Sequence, residues 1–514
     1  MPRAPRTTYA FLVPRRRRPA VALAALAALL VPAAGCASPG DQQPSTGASP
    51  GGPAASGPGG PGGPADAGGP PGPLTVSGRN LLSSDGRPFV WVGDTAWNIT
   101  GLDRAGIDTY LDRRSAQGFT VIQAVAAFRE PAQAEDAYGN EPFDGDAARP
   151  RTTPGSDPAD PEQYDYWDHV DHLVAGAHRR GLTVALFPVW SFHLADKTLT
   201  AANAHAYGEF LGKRYGGDGV TYVLGGDDPN PRPHIWPELR AGLTAGVAAP
   251  IPSTEASGER RAGVRTSTNP ALVTYHPAGY KKPSYGYQDT DYAMVQSGHC
   301  VKNGWQQLLS EAYREVSKPI IDSEPLYEGH PRCWKLEEGY ATTEEVRRQL
   351  YWSLFSGGFG VTYGHHSVWQ THGADGARVY AHPRNSWQEA LGDPMAEQVR
   401  HLAGFLRLRP IDDRVPDDGL VRADLGEQWS RKAGLRDGQG RWAMVYLPTG
   451  GTVQIETGKL AGERVRVSWY DPRTGALTAR GERATADAAE LTPPERQVDA
   501  PGDSQDWILI LDRL

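Results

Sequence analysis

The stretch Val220-Thr-Tyr-Val-Leu-Gly-Gly-Asp227, read with its counterpart Pro319-Ile-Ile-Asp-Ser-Glu324, decides the fold. Both are brief apolar runs that stop at an acid, as a strand buried on both faces does where it leaves the core. Working outward, similar runs lie at 89–92, 120–125, 183–189, 272–275, 293–296 and 360–363; with 220–224 and 319–321 they make eight. Helical spacing of apolar residues lies between runs, as in Ile107, Tyr110 and Leu111, in Trp167, Val170, Leu173, Val174 and Ala177, and in Val346, Leu350 and Leu354. Alternation of this kind over about 330 residues predicts an α/β (β/α)8 barrel. A doubly wound open sheet is the alternative. No Gly-x-Gly-x-x-Gly turn follows the first run, so a nucleotide cofactor has no support. We expect no cofactor.

Polar and aromatic residues gather where the runs end. The candidates for a common mouth are Asp94 and Trp97 after the first run, Gln123 in the second, Trp190 and His193 after the third, and Asp227 after the fourth. His276 follows the fifth, Gln296 and His299 the sixth, Glu324, Tyr327 and Glu328 the seventh, and His365 and Trp369 the eighth. Barrel enzymes keep their sites on this face. Asp227 and Glu324 are the candidate catalytic pair, because glycosidic cleavage needs one protonated and one ionised carboxyl across the bond. The other twelve are candidate substrate-binding residues. Each has a plainer alternative: Asp227 could cap a helix and Glu324 could pair with an arginine. Gly225 and Gly226 before the acid suit a positive φ or a close backbone approach. A metal site built from His276, His299, His365, His366 and Asp94 is the rival. Adjacent histidines on a strand point to opposite faces, and no His-Glu-x-x-His helix is present, so we expect none.

The N-terminus reads as an export leader, with Arg15–Arg18 ahead of a small apolar stretch. Ala33-Ala34-Gly35-Cys36 resembles a bacterial lipobox, which predicts lipidation of Cys36 and anchoring on the outer face of the cytoplasmic membrane; plain secretion is the alternative. Residues 1–35 carry six arginines and no acid, so their removal takes the net charge from −8 to −14. Such a surface argues against nucleic-acid binding. Of the three cysteines, Cys300 and Cys333 then remain as a possible disulfide, with two buried thiols the alternative.

Between residues 37 and 73, Gly and Pro supply 22 of 37 positions, which predicts a disordered spacer. From about residue 410 the helical period disappears. Short alternating runs at 442–447, 453–456, 465–470 and 507–511, with the turn Asp471-Pro-Arg-Thr-Gly475, predict a small β-sandwich. The expected plan is therefore leader 1–36, linker 37–73, barrel 74–409 and sandwich 410–514.

Several of these segments together resemble the apiosidase-like catalytic domain, glycoside hydrolase family one hundred and forty and relatives. They are Val90-Trp-Val-Gly-Asp-Thr-Ala-Trp97, Tyr222-Val-Leu-Gly-Gly-Asp227, Thr274-Tyr-His-Pro277, Met294-Val-Gln-Ser-Gly-His299, Asp322-Ser-Glu-Pro-Leu-Tyr-Glu328 and Tyr363-Gly-His-His-Ser-Val-Trp369. The C-terminal part is similar to a module often labelled collagen-binding, although nothing in its residues requires collagen. The resemblance implies Asp227 as acid/base, Glu324 as nucleophile, and Glu328 as a group that binds substrate or orients a neighbour. It also implies an oligo- or polysaccharide substrate, with apiose released from pectin side chains as the family's activity. The contrasting expectation is a non-catalytic, carbohydrate- or matrix-binding lipoprotein.

Overall fold

A computed structural model describes residues 72–128, 135–216, 219–228, 232–250, 270–280, 287–300, 305–374, 379–409, 413–485, 488–495 and 505–514. The leader, Cys36 and most of the Gly/Pro-rich spacer lie outside these residues. Among the described residues no helix is long and apolar enough to cross a membrane.

After a short hairpin, Thr75–Ser77 with Asn80–Leu82, the barrel strands follow. We label them β1 (Val92–Thr95), β2 (Val121–Ala127), β3 (Thr183–Val189), β4 (Val220–Gly225), β5 (Val273–His276), β6 (Ala293–Val295), β7 (Ile320–Asp322) and β8 (Gly360–Tyr363). All neighbours pair in parallel, in the order β5-β4-β3-β2-β1-β8-β7-β6. The two ends of that order, β5 and β6, lie side by side, so the sheet wraps into a nearly closed barrel. The first run is displaced from its expected place. Phe89 donates its backbone N–H back to Leu81 of the hairpin, and β1 starts only at Val92.

Strand parity divides the core. Val92, Ile122, Ala124, Val184, Leu186, Tyr222, Leu224 and Tyr363 face the surrounding helices. Val121, Val125, Ala185, Phe187, Val223 and Ile321 fill the barrel interior with Trp91, Tyr292 and Met294. The helices on either side of β4, Ala204–Tyr215 and Trp236–Ala248, meet backbone to backbone through Gly208, Gly212, Gly242 and Gly246. A Cβ on Gly242 would stand 2.1 Å from the His205 carbonyl oxygen.

The C-terminal part is antiparallel. Six strands run in the spatial order Arg414–Pro416, Ala433–Asp437, Trp442–Leu447, Trp507–Arg513, Arg464–Tyr470 and Leu477–Ala484. A two-stranded sheet, Val453–Ile455 with Ala489–Leu491, accompanies them. Alternation along Trp442–Leu447 gives the large sheet two buried faces. Met444 and Tyr446, with Leu435, Ile508 and Ile510, join the outer core of the barrel. Ala443, Val445 and Leu447 pack with Ile455 and Leu491 of the small sheet. Polar bonds reinforce the seam with the barrel. Arg347 donates to Asp506 through Nε and a terminal nitrogen at 3.0 and 3.1 Å, and both side chains are buried. The Trp352 indole N–H donates to the Arg431 carbonyl at 2.9 Å, and the Tyr470 hydroxyl donates to the His401 carbonyl at 2.6 Å.

Candidate active site

The corner after β4 has an unusual backbone. Gly225, Gly226 and Asp227 follow one another at φ of 97°, 87° and 58°. At the first two positions the space is closed as well as the conformation: a Cβ would stand 2.2 Å from the His276 carbonyl oxygen at Gly225 and 2.9 Å from the Trp190 ring at Gly226. An L-residue in this region is strained, and non-glycine examples concentrate at functional sites. The result is an Asp227 side chain 39% exposed, with its Oδ1 buried. The next acid, Asp228, is buried in an ion pair with Arg232 at 2.6 Å.

Glu324 follows β7 and is 4% exposed. His276 Nε2 stands 3.1 Å from its Oε2, and His299 Nε2 hydrogen-bonds its Oε1 at 3.0 Å. His276 also reaches toward Asp227, with Nδ1 3.9 Å from Oδ1. Oxygens of the two acids and a His276 nitrogen lie within 4.8 Å of one another. On distance alone those three residues could also share a metal ion. The metal set considered from sequence does not assemble, because His365 and His366 are bonded to different partners, Asp393 and the Tyr380 carbonyl, and Asp94 to Tyr110 and Arg114.

The two acids titrate in opposite directions. Loss of water around its buried Oδ1, and then the charge of Glu324, push Asp227 up to about 7 against the pull of His276 and Gln296. Burial also pushes Glu324 up, but His276 and His299 outweigh it and hold the carboxyl at about 2. His276 is itself pushed down by burial and drawn up more strongly by Glu324 and Asp227. Near neutral pH the site therefore offers one proton-bearing carboxyl beside one carboxylate, the division of labour an acid and a nucleophile require.

Aromatic residues wall this pair. The Trp97 ring lies 4.9 Å from Trp190 and meets His276 edge-on at 5.7 Å; Trp190 is 5.9 Å from His276. The Tyr327 hydroxyl is buried among Thr95, Glu324 and Asp227. Gln123 donates to the Ser323 carbonyl at 2.8 Å, next to Glu324. Trp369 stands one shell out, its indole N–H on His366 at 3.3 Å and its ring over Tyr380.

Four expected substrate-binding residues are held elsewhere. Asp94 has the parity of Val92, so it faces the helix layer. There Tyr110 and Arg114 both donate to its Oδ2 at 2.6 Å. Glu328 accepts from the Thr343 hydroxyl at 2.6 Å, the Tyr363 hydroxyl at 2.8 Å and the Met395 N–H at 3.2 Å, so both oxygens serve the helix layer. His365 caps its own short helix by accepting from Ser367 N–H at 3.0 Å, and turns Nε2 to Asp393 at 2.8 Å. His193 is buried against the Phe143 ring.

Residues behind the site, not assigned a role from the sequence apart from the expected Cys300–Cys333 disulfide, support it. Asp322 faces outward behind Glu324 and accepts from the Ser297 and Ser353 hydroxyls at 2.6 and 2.8 Å. Gln349 accepts from Leu326 N–H at 2.9 Å and donates to Ser297, tying the loops after β6 and β7 together. Cys300 and Cys333 join the same two loops as a disulfide, with Cα atoms 4.2 Å apart. Polar residues on the buried face of a helix were the available signal for Gln349 and Ser353.

An eight-stranded parallel barrel with two close carboxyls at its mouth is the arrangement glycoside hydrolases use. The chain belongs to the apiosidase-like family: residues 75–413 match "Apiosidase-like, catalytic domain", and residues 415–512 match "Putative collagen-binding domain of a collagenase". A solved structure titled "Glycoside hydrolase" superposes with a TM-score of 0.73 at 26% identity, covering 86% of this chain and 97% of that one. A glycoside hydrolase family 5 structure from Bacteroides vulgatus superposes at 0.72 and 26% identity, covering 86% and 93%. No curated protein matches the chain.

Proposed function

We propose that this protein is an exo-acting, retaining glycosidase of polysaccharide side chains, with Asp227 as acid/base and Glu324 as nucleophile. The carrying observation is the carboxyl pair, with oxygens no more than 4.8 Å apart and opposite titration. That spacing favours direct attack, since inversion needs about 6.5–9.5 Å between carboxyls to admit a water, and retention about 5–5.5 Å. Glu324 attacks the anomeric carbon while the Asp227 proton passes to the departing glycosidic oxygen. The C–O bond to the leaving sugar breaks as the glycosyl ester forms. Once esterified, Glu324 no longer carries the charge that raised Asp227. The Asp227 carboxylate then takes a proton from water, whose oxygen displaces the ester and regenerates Glu324. His276 and His299 steady the carboxylate before attack, and Trp97 and Trp190 offer flat apolar surface to the sugar.

Within that reading the substrate is a pectin-type side chain with apiose as the released sugar, which the family match supports. Domains 74–409 and 410–514 act after export, anchored through Cys36 or secreted, as the arginine-rich leader supports. The test is a cleavage screen of the purified mature chain on pectic oligosaccharides and aryl glycosides, with the first-formed anomer followed by NMR. Cleavage with retention is expected. A first-formed inverted anomer removes Glu324 from the nucleophile role, and lack of cleavage on every glycan favours the binding protein.

A further inference from the structure

Two exposed aromatics flank the Cys300–Cys333 bridge and have no place in the mechanism above. Trp334 stands 54% exposed and Tyr280 50% exposed. Both sit on left-handed backbone, Tyr280 at φ 59° and Trp334 at 63°, with Cys333 before it at 53°. Such conformations cost free energy in non-glycine residues and persist where the surroundings enforce them. Here that cost sets large apolar side chains toward solvent instead of into the core.

The enforcement is local. The Cys300–Cys333 disulfide fixes the Trp334 loop, Cys333 N–H donates to the His299 carbonyl at 2.9 Å, and Trp334 N–H donates to the Pro331 carbonyl at 3.0 Å. From the other side, Tyr280 N–H donates to the Gln296 carbonyl at 3.0 Å, and the Tyr280 hydroxyl accepts from Cys300 N–H. The Tyr280 ring crosses Gly298 so closely that a Cβ there would stand 2.5 Å from it. The Trp334 ring meets His299 edge-on at 5.6 Å and His330 at 4.3 Å. His299 is the residue bonded to Glu324, so the exposed indole stands one ring away from that carboxylate.

We infer that Trp334 and Tyr280, locked across the Cys300–Cys333 bridge, form a stacking platform for the sugar unit adjoining the one cleaved. This rests on the glycosidase reading of the site. The ligand class is a pyranose or furanose ring presenting an apolar C–H face, which gains contact area on a flat aromatic without needing charge. The buried wall of Trp97 and Trp190 holds the reacting sugar; the exposed pair holds its neighbour.

Binding without turnover tests this. Glu324→Gln, Glu324→Gln/Trp334→Ala, Glu324→Gln/Trp334→Phe and Glu324→Gln/Tyr280→Ala would be titrated on an array of plant and microbial oligosaccharides and free monosaccharides, with circular dichroism checking the fold. Expected is a tenfold or greater loss of oligosaccharide affinity for Trp334→Ala, a smaller loss for Tyr280→Ala, and recovery with Trp334→Phe. Monosaccharide binding stays within twofold. Unchanged oligosaccharide affinity in Trp334→Ala, or equal loss on both ligand classes, overturns the platform alone. A Glu324→Gln parent that binds no sugar overturns the platform and the glycosidase reading together.

Discussion

The barrel mouth and the seam with the C-terminal sheet are both buried and polar, yet they treat charge in opposite ways. At the seam Asp506 receives two Arg347 N–H groups and the Tyr446 hydroxyl, and Arg347 spends a further N–H on Gln398. At the mouth the acceptor oxygens Gln123 Oε1, Gln296 Oε1 and Asp227 Oδ1 are buried with no hydrogen-bond partner among the described residues. A buried polar group left open costs stability, so a cluster of them marks a place built for something else. Open acceptors want donors, and a sugar is dense in hydroxyls. The seam closes its Arg347–Asp506 pair on itself and leaves open only atoms such as the Tyr351 hydroxyl and the Trp442 indole nitrogen, whereas the open carbonyl and carboxylate oxygens at the mouth are acceptors that a sugar's hydroxyls can complete.

The largest expected effect that sharpens this contrast is Glu324→Gln. It should lower kcat by about 10³-fold or more, and because the folded pKa of Glu324 is depressed, losing the carboxylate held by His276 and His299 should also lower the melting temperature more at pH 7 than near pH 2. A kcat within tenfold of the parent would remove Glu324 from the nucleophile role. Next comes Arg347→Ala, which strands Asp506 and should cost about 3–5 kcal/mol in denaturant unfolding. Activity of the folded fraction should stay within about twofold, and Arg347→Met with Asp506→Leu should recover much of the loss. If Arg347→Ala instead lowers kcat in fully folded protein, the two regions are not independent.

Gly225→Ala should be smaller in stability, about 1–3 kcal/mol of backbone strain plus the clash with the His276 carbonyl, but it should also cut activity by displacing Asp227. Gly404→Ala, in the helix Pro394–Arg407 and with open space around it, should gain about 0.5–1 kcal/mol and provides the control. The subtlest effect is in pH. The folded pKa of Asp227 is raised, so its contribution to stability is full below its unfolded value near 4 and is lost as pH rises through about 7. Melts of Asp227→Asn against the parent should therefore show a larger gain at pH 8 than at pH 4. The parent's kcat/KM should fall above about pH 7 as the acid loses its proton. A pH-independent difference would remove the raised Asp227 from the account.

The eight strand positions were legible because parallel strands, buried on both faces, read as unbroken apolar runs. The first was misplaced because Phe89 and Trp91 are just as apolar, although they lead in from the hairpin and plug the interior. Strand parity was available and would have moved Asp94 outward with Val92; grouping residues by strand end alone hid it. Glu328 and His365 could not be sorted this way, since their partners Thr343, Met395 and Asp393 arrive from helices far along the chain. In the C-terminal sheet the turn at 471–475 implied a strand beyond it, but the extent of Leu477–Ala484 could not be read, because every one of its residues is exposed and leaves no apolar alternation.

The two buried faces of that C-terminal sheet bear on inheritance. One face belongs to the barrel's core through Met444, Tyr446 and Ile508, and the other is covered by the small sheet. A domain with such a seam does not travel alone. Shuffled onto another barrel it would carry an apolar face and an orphaned Asp506, and the barrel it left would expose Tyr351, Phe405 and Arg347. The two halves are therefore expected to descend as one unit, with substitutions at Arg347 and Asp506 arising in concert.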